Sequence, residues 1–208
     1  MAVAKSPFLI FQEFISPKTC ETIVDKLGFY SPDTDQQGHP IKMFRFHEES
    51  ERIIFDRLQA ITPEIINYYG ADNYRGTEQI IFEYITPGTA CEPICENSNY
   101  IRKKWVQTKD RNISAVLFLS DHNEIVPFDS EYEVYGGKLE FPQHHFGFNP
   151  TRGTLIVYPS GPHFINATAN IAAGELFQAR IHIATQTPYL YQPDKFPGDY
   201  RSWFKNLL

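Results

Sequence analysis

From residue 79 onward the chain is written in short bursts of β-branched and aromatic residues, each closed by turn chemistry. The bursts run Gln79 to Thr86, Ser114 to Leu119, Gly137 to Phe141, Thr154 to Tyr158 and Phe177 to Ala184. Strands of this length, spaced by Gly, Pro, Asn, Asp and Ser, carry the rhythm of a β sandwich or barrel. A supply of 17 Phe and 12 Tyr gives large, rigid side chains to fill the space between two sheets.

The first third reads differently. A short strand within Phe8 to Phe14 leads to Ser16-Pro17, where a hydroxyl can cap a helix and proline can occupy its first turn. The helix from Pro17 to about Leu27 gathers Cys20, Ile23, Val24 and Leu27 on one face, and Gly28 ends it. Ser31 to Pro40 is loop chemistry. A second helix begins near Glu48 and places Ile53, Ile54, Leu58 and Ile61 together; Thr62-Pro63 is expected to break it and restart a shorter helix ending at Gly70. No repeat or linker separates the helical part from the β part. Residues 1–208 are therefore expected to form one domain, with 1–75 packed on a β core of 76–208.

A formal charge of −6 and a pI near 5.6 remove the broad attraction to phosphate backbones, so nucleic acid is excluded as a general partner. Cys20, Cys91 and Cys95 are too few for a disulfide framework or a complete zinc motif and read as reduced thiols. Met1 to Pro7 has no signal-peptide pattern, and no apolar run is long enough for a bilayer, so the chain is expected in the cytoplasm and away from membranes. Without a secretion signal, the glycosylation patterns at Asn112 and Asn166 read as chance.

Several segments in order resemble the iron(II)/2-oxoglutarate oxygenases of the prolyl 4-hydroxylase type. Phe14 to Cys20 is similar to the strand, capped helix and cysteine that open such domains. Phe82-Glu83-Tyr84-Ile85-Thr86-Pro87-Gly88 and Arg111 to Asp121 resemble the family's strand, turn and following strand. Gly136-Gly137-Lys138-Leu139-Glu140-Phe141 resembles its glycine pair and short strand, and Asn149-Pro150 to His163 its late strand and histidine. The resemblance covers nearly the whole chain. It implies a mainly β fold with N-terminal helices, a double-stranded β-helix or jelly roll. At its open end the family holds Fe(II) through a His-x-Asp/Glu pair and a distant His, with a basic residue on a late strand for the distal carboxylate of 2-oxoglutarate.

By that resemblance His163 stands as the late metal ligand. With Glu92-Pro93 as anchor, Glu96 falls on the acid position, but Ile94 falls where the first histidine belongs, and isoleucine has no lone pair for a metal. A register one residue later offers Cys95 and Asn97 instead. The basic position falls on Leu176; Arg180 lies further on, on the same strand face with Gln178 and His182, and is the candidate for 2-oxoglutarate, with a surface or cross-strand ion pair to an acidic neighbour as its plainer reading. His144-His145 reads as loop, since neighbours on a strand point apart. Trp105 among Arg102, Lys103 and Lys104 reads as a solvated hairpin rather than a small basic-aromatic contact patch.

Two readings follow. In the first, the metal site is degenerate, no cofactor is held, and the jelly roll is a binding or structural module with a protein partner or assembly; small domains of this family also occur in phages, which admits a virion component or a place in host cytoplasm. In the second, the chain is an active hydroxylase using Glu96 and His163 on Fe(II) and Arg180 on 2-oxoglutarate. A weaker third is a small-molecule-binding jelly roll of the cupin sort.

Overall fold

The computed structural model describes residues 6–29, 31, 33–89 and 91–188. In chain order the elements are β1 (Leu9–Phe11), α1 (Pro17–Leu27), β2 (Met43–Arg45), α2 (Glu48–Tyr69), β3 (Tyr74–Thr77), β4 (Ile81–Ile85), β5 (Ser98–Ile101) and β6 (Lys104–Gln107). They continue with β7 (Ile113–Phe118), β8 (Asp121–His122), β9 (Glu133–Gly136), β10 (Leu139–Phe141), β11 (Phe146–Phe148), β12 (Leu155–Pro159), β13 (Ala167–Thr168), β14 (Ile171–Gly174) and β15 (Leu176–Thr185). The result is a mainly β jelly roll with two N-terminal helices.

The large sheet has the order β1-β12-β7-β15-β4-β2, with β3 also pairing β15. Two three-stranded sheets, β11-β10-β13 and β14-β9-β8, supply the second layer, and β5-β6 forms a separate hairpin. Side-chain alternation gives the large sheet two distinct faces. Phe177, Ala179, Ile181 and Ile183 of β15, with Ala115 and Leu117 of β7, share one apolar cluster with Cys20, Ile23, Ile54, Leu58 and Ile65 of the helices. The other face meets Leu139 and Phe141 through Val116, Phe118, Ile156 and Tyr158. Beyond that second cluster the same face turns polar, presenting Glu83, Gln178, Arg180 and His182, all buried.

The helix ends follow the sequence in most respects. Ser16 Oγ accepts from the Thr19 amide, and Gly28 closes α1 in the left-handed conformation at φ 60°. The expected break at Thr62-Pro63 does not occur: α2 runs unbroken from Glu48 to Tyr69 with Pro63 inside it. Proline there removes the amide that would reach the Gln59 carbonyl. Thr62 Oγ1 donates to Leu58 O at 2.8 Å, and the face holding Ile54, Leu58, Ile65 and Tyr69 stays buried across the proline. Packing of that stripe outweighs one lost bond. At the glycine pair, Gly136 adopts φ 100°, and a Cβ there would run into the carbonyl oxygen of Asn170. No helix among the described residues is long and apolar enough to cross a membrane.

Candidate functional site at the jelly-roll mouth

The polar face of the large sheet is built by register. Arg180 on β15 stands opposite Ile81 on β4, and Glu83 opposite Gln178, so Arg180 and Glu83 lie diagonally across two paired strands. Glu96 approaches from the segment before β5. That segment is tied down by a β-bridge between Ile94 and Asn166, the Ile94 amide donating to Asn166 O at 2.8 Å and the Asn166 amide to Ile94 O at 3.0 Å.

Arg180 is the centre of the arrangement. Its Nε donates to both Glu83 carboxylate oxygens at 3.0 Å. Its Nη1 donates to Glu96 Oε1 at 2.6 Å and to Asn166 Oδ1 at 2.9 Å. Arg180, Glu83 and Glu96 are each only 3% exposed, so this is a charge cluster taken out of water. Further donors meet both carboxylates. Glu83 receives Gln178 Nε2 at 2.5 Å and Lys42 Nζ at 3.4 Å; Glu96 receives Tyr158 Oη at 3.2 Å and Asn166 Nδ2 at 3.3 Å. A buried ion pair tolerates its desolvation only with such additional bonds.

The electrostatics follow from these contacts. Burial would raise both carboxyl groups, but Arg180, with Lys42 at Glu83 and His182 and Arg111 at Glu96, holds them below the usual carboxylate range. Burial would lower Arg180, and the two carboxylates more than reverse it. His182, beside Glu96 at 3.7 Å, is pushed down to about 4, chiefly by burial, and is neutral near pH 7. Its Nδ1 lies 3.1 Å from Ser114 Oγ, which meets Ser160 Oγ at 2.6 Å.

The expected site residues are thus distributed unevenly. Glu96 and Arg180 come together, bonded directly to each other. His163 is exposed on the tight turn Pro162–Phe164 that Gly161 and Pro162 initiate, where Phe164 takes the buried direction and enters the apolar cluster. Three residues later, Asn166 bonds Glu96 Oε1 through its Nδ2. Ile94 lines the same cleft as Glu96 and Arg180. Cys95 Sγ is directed 3.8 Å from Asn97 Oδ1 and Ser160 O, with its thiol raised by burial. Leu176 is buried against Ile85, Val134 and Ile171. His144 is buried with Nε2 2.6 Å from His163 O, while His145 turns to positive φ, so the adjacent pair splits as expected. Among the described residues, no three or more His, Cys, Asp and Glu side chains form a group that could hold a metal ion.

A cleft of about 490 Å³ is lined by Glu83, Glu96 and Arg180 together with Phe44 of β2 and Tyr100 and Trp105 of the hairpin. The jelly roll with its N-terminal helices is a fold shared with solved structures. A viral collagen prolyl hydroxylase from Paramecium Bursaria Chlorella virus-1, solved as its 2OG complex, superposes with a TM-score of 0.63 at 18% identity, covering 88% of this chain and 97% of that one. The fold is that of the prolyl hydroxylases. A prolyl hydroxylase from Trichoplax adhaerens, in complex with a hypoxia inducible factor peptide fragment, gives 0.58 at 11% identity, covering 86% and 84%. HygX from Streptomyces hygroscopicus, with nickel and 2-oxoglutarate bound, gives 0.54 at 12% identity, covering 87% and 84%. No protein-family model matches the chain, and no curated protein matches it in sequence.

Sequence reasoning missed Glu83 and Asn166. Glu83 is a lone acid in the apolar run Ile80 to Ile85, and a charge in such a strand signals a buried partner. Asn166 sat inside a glycosylation-like pattern and carried no metal-ligand signature.

Proposed function

We propose that this prolyl hydroxylase jelly roll has given up iron and 2-oxoglutarate chemistry and serves as a binding or structural module. The observation that carries the reading is the Nη1 of Arg180, shared between Glu96 and Asn166. In an oxygenase of this fold, the acid position and its neighbours would face a divalent cation. Here the cation beside Glu96 is a guanidinium belonging to the chain. The donor set does not fit a ferrous facial triad: Ile94 offers hydrocarbon, Asn166 offers an amide already bonded on both sides, and Glu96 Oε1 already accepts from Arg180, Tyr158 and Asn166. Arg180 spends its Nε and Nη1 on Glu83 and Glu96, which competes with pairing to a 2-oxoglutarate carboxylate.

On this reading the ion cluster floors a cleft that binds rather than reacts. Isothermal titration of the purified protein with Mn(II), alone and with 2-oxoglutarate, tests this. No saturable heat is expected for either. Stoichiometric Mn(II) binding that strengthens with 2-oxoglutarate would overturn the proposal and restore the hydroxylase reading.

A further inference from the structure

Two surface segments of opposite charge lie outside the Arg180 cluster. The loop from Asp121 to Glu133 holds five acids, Asp121, Glu124, Asp129, Glu131 and Glu133, and no Lys or Arg. Arg152 takes up Asp121, and Glu133 Oε2 accepts from Asn123 Nδ2 and from the Asp129 amide at 3.2 Å each. Glu124, Asp129 and Glu131 are left exposed. Among them stands an apolar tip, Ile125 at 76% and Val126 at 56% exposure. The tip is anchored from below: the Ile125 amide donates to Asn123 Oδ1 at 2.9 Å, and Phe128 packs so closely on Gly174 that a Cβ there would meet its ring. Exposed hydrocarbon on an anchored loop is ready for a contact without the cost of ordering it.

The β5-β6 hairpin is its complement. From Ser98 to Lys109 it carries Arg102, Lys103, Lys104 and Lys109 and no Asp or Glu. Strand alternation divides its side chains: the Tyr100–Trp105 pair lines the cleft, whereas Ile101, its partner Lys104, and Val106 share the other face. On that outer face Ile101 and Val106 are each 44% exposed. The roots of the two segments lie at opposite ends of β7, which the hairpin enters through Lys109 to Asn112 and the loop leaves through Leu119 and Ser120, roughly 17–20 Å of strand apart. Both surfaces stay exposed in the single chain, and among the described residues no ion pair joins them.

We infer that the chain associates with copies of itself, the acidic loop of one seated on the outer face and turn of the hairpin of the next. Ile125 and Val126 would cover Ile101 and Val106, while the exposed acids of the loop meet Arg102, Lys103 and Lys104, so that charge beside the contact finds its opposite. A second copy is the favoured occupant because one chain carries both halves of the contact in equal supply. A contact between two different patches repeats from copy to copy, which builds assemblies beyond the dimer or closes a ring. The cleft and the Arg180 cluster take no part, so the inference goes beyond the binding-module reading and holds whether or not the site takes metal.

Sedimentation velocity of the full chain over a concentration series, at low and moderate salt, tests this. Mass should rise with concentration and fall with added salt. Lys103→Glu/Lys104→Glu in the hairpin and, separately, Glu124→Lys/Asp129→Lys in the loop should each raise the concentration needed by about tenfold or more. The loop variant lowers the net negative charge, so mere relief of repulsion would strengthen its association instead. A chain carrying all four substitutions has the two charges exchanged and should associate again, which loss of fold would not produce. Near-ultraviolet circular dichroism verifies that each variant is folded. A natural chain that stays monomeric through the micromolar range overturns the inference and leaves the two patches to other proteins. Association that survives either reversal, or a folded four-substitution chain that remains monomeric, overturns it equally.

Discussion

Strand β15 shows two ways of being buried, one on each face. Towards the helices it presents Phe177, Ala179, Ile181 and Ile183; towards the mouth it presents Gln178, Arg180 and His182, and all seven residues are buried. The first row is held by transfer of hydrocarbon from water, a force without direction that tolerates substitution by side chains of similar size. The second row is held by partners placed to within tenths of an ångström, and burial there costs free energy unless every partner is present. The same backbone therefore carries a tolerant face and an exacting one, and the exacting face is the one that opens on the cleft.

The sharpest way to break this contrast is Arg180→Ala, which leaves Glu83 and Glu96 buried without their shared cation. A loss of roughly 3–5 kcal/mol is expected by chemical denaturation. Adding Glu83→Gln and Glu96→Gln should recover a large part of it. If the triple variant is no more stable than Arg180→Ala, the loss is a packing effect and the two faces do not differ in kind.

A somewhat smaller effect concerns pH. His182 is held neutral in the fold, at about 4 against an ordinary value near 6.5. Its neutral burial therefore contributes stability that is fully present above pH 6.5 and is lost as pH falls towards 4, because the unfolded chain takes up the proton first. The loss from this group should reach roughly 3 kcal/mol at pH 4. Glu83 and Glu96, held low, add a loss at still lower pH, below the unfolded carboxylate range. Denaturation series from pH 8 to 4 on the natural chain and on His182→Gln should give a flatter curve for the variant. Parallel curves would show that His182 does not titrate with folding. At the smallest scale, Ile181→Val on the tolerant face should cost only about 0.5–1.5 kcal/mol and leave the pH dependence untouched.

What could be read from the residues follows the same division. The apolar face was legible: helical spacing picked out Cys20, Ile23, Val24 and Leu27, and the bursts at Ser114 to Leu119 and Phe177 to Ala184 became β7 and β15 within a residue or two. The exacting face was legible only as residue types. Glu96 and Arg180 stood out, but their partnership did not, since 84 residues separate them and no periodicity links a loop acid to a strand arginine. His163 drew attention because a histidine follows Tyr158-Pro159-Ser160 at a familiar distance; the turn begun by Gly161 and Pro162 gives the inward direction to Phe164 instead. The unbroken α2 belongs here too, because Thr62 reaching back to Leu58 is a compensation that propensity alone does not reveal.

The shared Nη1 of Arg180 has a consequence for where and when such a domain can work. A cation that is part of the polypeptide arrives with translation, in fixed stoichiometry, and no chelator can withdraw it. Neither iron starvation, nor oxidation of ferrous to ferric ion, nor absence of oxygen alters its charge. If the proposed reading holds, folding needs no metal-loading step, and every copy of the chain leaves the ribosome equipped alike.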